Sequence, residues 1–131
     1  MKNISLCIVL CFVMPSCTSG DDEKGTRSNP ITVTIGEPYS GNVGANGSVF
    51  FKFSCPGGNY RIEVKNVETD LGIELYDNAA FDVLLDSSDQ YLGNFDEEIF
   101  YNCSVKTYYV KVNELAGNDG GFTLAIDPAA I

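Results

Sequence analysis

The sequence predicts an all-β protein, an antiparallel β-sandwich of about eight to nine short strands. From residue 31 onward, apolar and polar side chains alternate with a period of two, which is typical of strands with one buried side. Turn-forming residues interrupt the alternation at intervals of about 8 to 12 residues, as they do in sandwiches and barrels. No stretch keeps the 3.6-residue period of an amphipathic helix.

The strands are predicted in order from these alternating runs. The clearest run is 60–64, in which Tyr60, Ile62 and Val64 alternate with charged residues. The predicted strands are 31–35, 39–43, 51–54, 60–64, 71–75, 83–86, 99–101, 108–112 and 122–126. The predicted turns lie at 36–38, 44–47, 56–59, 77–78 and 117–121, and they are rich in Gly, Asn, Asp and Pro. Residues 30–131 are therefore predicted to form one domain.

Composition limits the range of functions. The chain of 131 residues has 8 Lys and Arg against 18 Asp and Glu, a net charge of −10, and it contains no His. A basic surface for nucleic acid phosphates is therefore not expected, so no nucleic acid partner is predicted. The absence of His excludes Ser-His-Asp and Cys-His nucleophiles and His-ligated zinc. We expect a protein that is not an enzyme and needs no cofactor, with calcium as the one ion left open.

Residues 1–16 have the features of an export signal. The apolar stretch at 4–14 is too short to span a bilayer, which needs about 20 apolar residues. Pro15 and Ser16 then precede Cys17, an arrangement that resembles the lipobox of bacterial lipoproteins. The resemblance implies lipidation of Cys17 and anchoring to a membrane of a bacterial cell envelope, at the outer membrane or cell surface. The alternative is an ordinary signal peptide and a secreted protein.

Residues 17–29 are predicted to be a flexible acidic tether. The segment is small and polar, contains Asp21, Asp22 and Glu23, and lacks any apolar period. Such a segment would hold the domain that begins at residue 30 just off the membrane.

Two cysteines of the domain are predicted to face inward. Cys55 continues the inward phase of the run at 51–54, and Cys103 continues that of the run at 99–101. In an exported protein such a pair suggests a disulfide. The alternative is two buried free thiols that pack as small apolar side chains.

The second half of the chain is rich in acidic residues. Asp77 with Asn78, and Asp96 with Glu97, offer hard oxygen ligands of the kind that calcium takes. No EF-hand spacing is present. The alternative is that solvated acidic loops keep an exported domain soluble.

Four aromatic residues face away from the predicted core according to their strand phase, namely Phe50, Tyr76, Phe100 and Tyr109. Exposed rings on a sheet face are a suitable platform for a glycan or for another protein. The alternative is a structural use, in which other parts of the chain cover these rings.

Three blocks of the sequence resemble, in the right order, the bacterial pre-peptidase C-terminal domain. They are SVFFKF at 48–53 with GNYRIEV at 58–64, then DLGIELYD at 70–77, then TYYVKV at 107–112 with GFTL at 121–124. Lys106 stands where the family has a Gly before Thr-Tyr-Tyr. The resemblance implies a jelly-roll-like sandwich without catalytic activity. Related modules include some that bind collagen or carbohydrate and some that bind calcium.

These observations together predict a non-catalytic, lipid-anchored envelope protein whose β-sandwich binds an extracellular polymer or protein. The alternative is a structural or accessory subunit, with or without stabilising calcium, that docks to a separate secreted protease or other enzyme.

Overall fold

The computed structural model describes residues 23–89 and 93–130, and the part of the chain it describes is an all-β sandwich, as predicted. Its strands are β1 (Ile31–Thr32), β2 (Tyr39–Val43), β3 (Ser48–Lys65), β4 (Leu71–Tyr76), β5 (Leu84–Ser88), β6 (Glu97–Glu114) and β7 (Gly120–Pro128). The predicted signal at 1–16 and Cys17 lie outside the described residues. Within 23–89 and 93–130 there is no helix of the length and apolarity that crossing a membrane requires.

Two long strands form the frame of the sandwich. β3 and β6 pair antiparallel from Ser48, opposite Asn113, to Val64, opposite Glu97. β4 adds to the second half of β6, β5 adds to β4, and β1 adds parallel to the first half of β3. β7 pairs with the second half of β3, and β2 pairs with β7. One continuous sheet thus contributes to both layers, because β3 and β6 pass from one layer to the other.

We call the layer with β1, β4, β5, the first half of β3 and the second half of β6 layer A. Layer B holds β2, β7 and the remaining halves of the two long strands. Phe51 of layer A joins the layers, with its ring centroid 5.4 Å from Tyr39 and 6.1 Å from Phe122 of layer B. The most deeply buried core side chains, at most 1% exposed, include Phe51, Ile62, Leu71, Ile73, Leu75, Val110 and Leu124.

The predicted turn at 56–59 is wrong, because this segment lies inside β3. Gly57 and Gly58 have φ angles of 96° and 114°, which residues with a side chain rarely adopt. They bend the strand while pairing continues on both sides, from Pro56 opposite Val105 to Gly58 opposite Cys103. The bend merges two pairs of predicted short strands, so the described residues contain seven strands instead of eight to nine.

Both long strands begin and end at the same end of the sandwich, which brings together the loops at 44–47, 66–70 and 115–119 and the described residues 93–96 of a fourth loop. Glu114 links three of these loops. Its carboxylate accepts hydrogen bonds from the Asn46 and Gly117 N–H groups, each at 2.8 Å, and from the Thr69 hydroxyl at 2.8 Å. Burial by itself raises the pKa of this carboxyl, but the hydrogen bonds outweigh it and lower the pKa to about 2.

The chain reaches the sandwich before residue 30. The Gly25 carbonyl accepts a 2.9 Å hydrogen bond from the Phe50 N–H, and the Gly25 N–H donates to the Asn29 carbonyl at 2.8 Å. Gly25 is buried, and a side chain there would press on Val49 and Ile31. The end of the predicted tether is therefore a turn packed on β3, and the predicted boundary at residue 30 falls just after that turn.

Candidate functional site

Three of the four predicted surface aromatics lie together on the outer face of layer A. Tyr76 on β4 is directly opposite Tyr109 on β6, and Phe50 on β3 lies in the next row, opposite Lys111. Phe100 does not join them. It lies opposite Arg61 on the outer face of layer B and is 59% exposed.

A fourth ring, which the sequence reasoning missed, completes the group on layer A. Phe81 lies between β4 and β5, and its ring centroid is 4.8 Å from Phe50, 5.6 Å from Tyr76 and 5.5 Å from Tyr109. Phe81 is only 4% exposed, and the three rings around it are half-buried. The predicted platform is therefore partly covered by the chain itself, as the structural alternative expected.

The loop at 77–83, here called the Phe81 loop, is held in place by polar contacts. The Asn78 side-chain oxygen accepts hydrogen bonds from the Asp82 and Val83 N–H groups at 3.2 and 3.1 Å. The Phe81 N–H donates to the Asn78 carbonyl at 3.0 Å. Phe81 has a φ of 55°, which is unusual for a bulky residue and turns its ring onto the sheet. An aromatic residue three positions after the predicted turn at 77–78 was the signal in the sequence for this arrangement.

Positive charges surround these rings. The Arg27 guanidinium and the Lys111 ammonium each lie 5.6 Å from the Phe50 ring centroid, within the range of a cation–π interaction. Lys52 lies opposite Tyr109 in the adjacent row. We call this surface the aromatic–cationic face, and its members are Arg27, Phe50, Lys52, Tyr76, Phe81, Tyr109 and Lys111. The net charge of −10 gave no indication that basic residues would gather on one face.

One carboxylate lies within the aromatic–cationic face. Glu74 accepts a 2.8 Å hydrogen bond from the Tyr76 hydroxyl, and Lys111 is 3.9 Å away. Burial, together with the hydrogen bond to Glu74 and its charge, raises the pKa of Tyr76 to about 12, against an opposing effect of Arg27. The Tyr76 hydroxyl therefore remains a neutral hydrogen-bond donor at physiological pH.

The outer face of layer B differs in charge. Its basic side chains Arg61 and Lys65 lie 3.1 and 3.9 Å from the carboxylate of Glu63. Glu98 lies opposite Glu63 and Asp127 lies opposite Arg61, so acidic side chains outnumber the basic ones in this group.

The predicted calcium ligands are not brought together. Asp77 accepts hydrogen bonds from the Lys106 ammonium, so a cationic side chain already contacts this carboxylate. Asn78 supports the Phe81 loop. At the opposite end of the sandwich Asp96 is exposed, whereas Glu97 is 1% exposed and accepts a 2.7 Å hydrogen bond from Ser88. Across residues 23–89 and 93–130, no group of three or more His, Cys, Asp and Glu side chains is arranged to hold a metal ion.

The predicted inward orientation of the two cysteines is confirmed, since Cys55 and Cys103 are each 3% exposed. The predicted disulfide is not formed, and both residues are free thiols. They are offset in the pairing of β3 with β6, because Cys55 lies opposite Lys106 and Cys103 opposite Gly58. Burial, and to a smaller extent a hydrogen bond with Cys55, raises the pKa of Cys103 to about 12.

The fold is the class of structure that the sequence resemblance implied, a pre-peptidase C-terminal β-sandwich. The chain is similar to the pre-peptidase C-terminal domain of a collagenase from Bacillus anthracis, with a TM-score of 0.62 and 18% identity, over 83% of this chain and 99% of that chain. It is also similar to a periplasmic inhibitor of g-type lysozyme, PliG, from Aeromonas hydrophila, with a TM-score of 0.51 and 11% identity, over 73% of this chain and 94% of that chain. No family model and no curated protein sequence matches the chain.

Proposed function

We propose that this protein is a non-catalytic, lipid-anchored module of a bacterial envelope that binds an extracellular polymer or protein through the aromatic–cationic face. The observation that carries the proposal is the composition of that face. Three of the eight basic residues of a strongly acidic chain lie there, around four aromatic rings. Aromatic side chains and Arg, both present on this face, are enriched at binding surfaces.

The comparisons support a binding role in general terms. One similar structure is a domain of a collagenase other than its peptidase, and the other is described as an inhibitor of an enzyme. Neither description names a catalytic domain, which favours a role in binding over a role in chemistry.

The route of the chain also supports the proposal. The turn that carries Arg27 lies at the end of the predicted tether and is hydrogen-bonded to Phe50 of β3, so an anchor at Cys17 would be only ten residues before a member of the aromatic–cationic face. A ligand bound there would be held close to the envelope surface.

The proposal is tested by a binding screen of the mature chain, from Cys17 onward, against glycans and extracellular matrix proteins. Two variants report which face is used. Ser87→Trp places a bulky ring next to Glu74 on layer A, whereas Asn102→Trp makes the same change at an exposed site on layer B. We expect at least one ligand whose binding is lost in Ser87→Trp and kept in Asn102→Trp. Absence of any ligand, or equal loss in both variants, would overturn the proposal.

The lipid anchor is tested separately. We expect the mature amino terminus to be a diacylated Cys17, visible as an added lipid mass, and we expect Cys17→Ser to release the protein from membranes. A mature terminus at another residue would show ordinary secretion instead.

The loop end of the sandwich favours a second candidate function, docking to a separate enzyme. Its four loops carry no Lys or Arg and hold the acidic residues Glu68, Asp70, Asp89, Asp96 and Asp119. Such an end attracts a basic protein. Capture of a basic secreted enzyme that is lost when Asp96 and Asp119 are both changed to Asn would establish this alternative.

A further inference from the structure

We infer that the ligand of the aromatic–cationic face is an anionic glycan, a polymer whose sugar units carry carboxylate or sulfate groups. The inference rests on the proposed function and specifies the class of its ligand. It follows from three features of the face, which are the placement of its cations, its one carboxylate, and its contrast with layer B.

The cations are placed by the rings beneath them. Because Arg27 and Lys111 are each 5.6 Å from the same ring centroid of Phe50, their charges lie no further apart than twice that distance. Lys52 extends the positive surface by one row, opposite Tyr109. Rings that are half-buried and fixed by Phe81 hold the two stacked cations in defined positions. Such an array suits a ligand with regularly spaced negative charges.

Glu74 favours a glycan over an acidic peptide. Its carboxylate lies at the β4 end of the row that also holds Phe50 and Lys111, and it already accepts a hydrogen bond from Tyr76. A run of acidic side chains would be repelled by this carboxylate. A glycan alternates anionic groups with hydroxyls, and a hydroxyl can donate to Glu74 while the anionic groups contact the cations. The apolar faces of sugar rings also pack well against aromatic side chains such as the half-buried Tyr76 and Tyr109.

Layer B shows that exposed basic residues alone are not enough to form a surface like the aromatic–cationic face. Arg61 and Lys65 share the carboxylate of Glu63. On layer A, Glu74 accepts a hydrogen bond from a tyrosine hydroxyl and has one cation nearby, Lys111 at 3.9 Å, while Arg27 and Lys52 lie elsewhere on the face. With Arg27, Lys52 and Lys111 against Glu74, the side chains of the aromatic–cationic face carry a net positive charge on a molecule of net charge −10.

The test measures binding of the mature chain to polygalacturonate and heparin, with dextran as a neutral control. We expect binding to at least one of the anionic polymers and not to dextran, and we expect it to weaken about tenfold between low and high salt as the charges are screened. Removal of the three cations in Arg27→Gln/Lys52→Gln/Lys111→Gln should weaken it about a hundredfold, at about fivefold for each charge. The matched control is Arg61→Gln/Lys65→Gln, which removes charge from layer B and should change binding less than twofold.

The remaining outcomes separate this inference from the proposed function. A neutral glycan that binds without salt dependence and is blocked by Ser87→Trp would overturn the anionic class and leave the proposed function intact. Tighter binding of poly-glutamate than of both anionic glycans would overturn it in favour of an acidic protein. Equal loss in the layer A and layer B charge variants would show a general charge effect and would overturn the inference.

Discussion

The two outer faces of the sandwich are built from the same pair of strands, but they differ in their charged groups and in how far their aromatic rings are covered. Both halves of β3 and β6 alternate inward and outward residues in the same way. On layer A two added segments change the surface, because the Phe81 loop covers the outward rings and the turn with Arg27 adds a cation to those that Lys52 and Lys111 already supply from the strands. On layer B no comparable cover is described over Phe100, which stays 59% exposed. Strand alternation therefore sets which side chains point outward, and the connections set what those side chains meet.

The largest expected effect is the difference in stability lost when an aromatic residue is removed from each of the two faces. Phe81→Ala should lower the free energy of unfolding by about 3 to 5 kcal/mol, because Phe81 is 4% exposed and contacts three rings. Phe100→Ala, on layer B, should change it by less than about 0.5 kcal/mol. Urea denaturation of both variants measures the difference. Similar losses in the two would mean that the outer faces are equally covered.

A smaller effect is expected from acid at the loop end, which both faces share. The pKa of Glu114 is about 2 in the folded protein and its ordinary value is 4.5, so the charged form is favoured by folding. Its contribution to stability should be complete above pH 4.5 and should disappear as the pH falls towards 2. Glu114→Gln should reduce the thermal midpoint at pH 6 and flatten its acid dependence. An acid dependence equal to that of the natural protein would contradict this assignment.

The two cysteines near the bend of the long strands should be protected from alkylation. Cys55 and Cys103 are buried, and the pKa of Cys103 is raised to about 12, so little thiolate exists at neutral pH. Iodoacetamide should label neither residue in the native protein at pH 8 and both in urea without reductant. Labelling of neither in urea, and of both only after reduction, would show that the sequence prediction of a disulfide holds in solution.

A spectroscopic measurement reports the environment of the layer A rings directly. Because the pKa of Tyr76 is raised to about 12, its stabilising effect is complete below pH 10 and declines as the pH rises from 10 to 12. The difference between the alkaline absorbance titrations of the natural protein and Tyr76→Phe isolates this one hydroxyl. A difference curve with a midpoint near 10 would show that Glu74 does not hold the hydroxyl.

The smallest expected effect concerns calcium. Lys106 contacts Asp77, and the other predicted ligand pair lies at the opposite end of the sandwich, so the thermal midpoint should move by less than about 1 °C in millimolar calcium. Differential scanning calorimetry after chelation measures this. A clear rise would restore the calcium hypothesis and would call for a ligand set that includes other residues.

Much of the fold was predictable because its signal is local. The period-two alternation located the strands and indicated that Cys55 and Cys103 face inward, since adjacent side chains of a strand point to opposite sides. The same reasoning failed at Gly57 and Gly58. Two glycines are typical of turns, but here the pairing partner across the sheet keeps the segment in β3.

By itself the sequence determined an all-β chain, the phase of each strand and an acidic character. Only the tertiary structure decided that Phe81 lies against Phe50 and Tyr109 and that Arg27 lies over Phe50, since the two residues of each of these pairs are more than twenty positions apart in the chain. The physical reason is that strand phase depends on neighbouring residues alone. The aromatic–cationic face, in contrast, depends on how two connections fold back onto a sheet that must already exist.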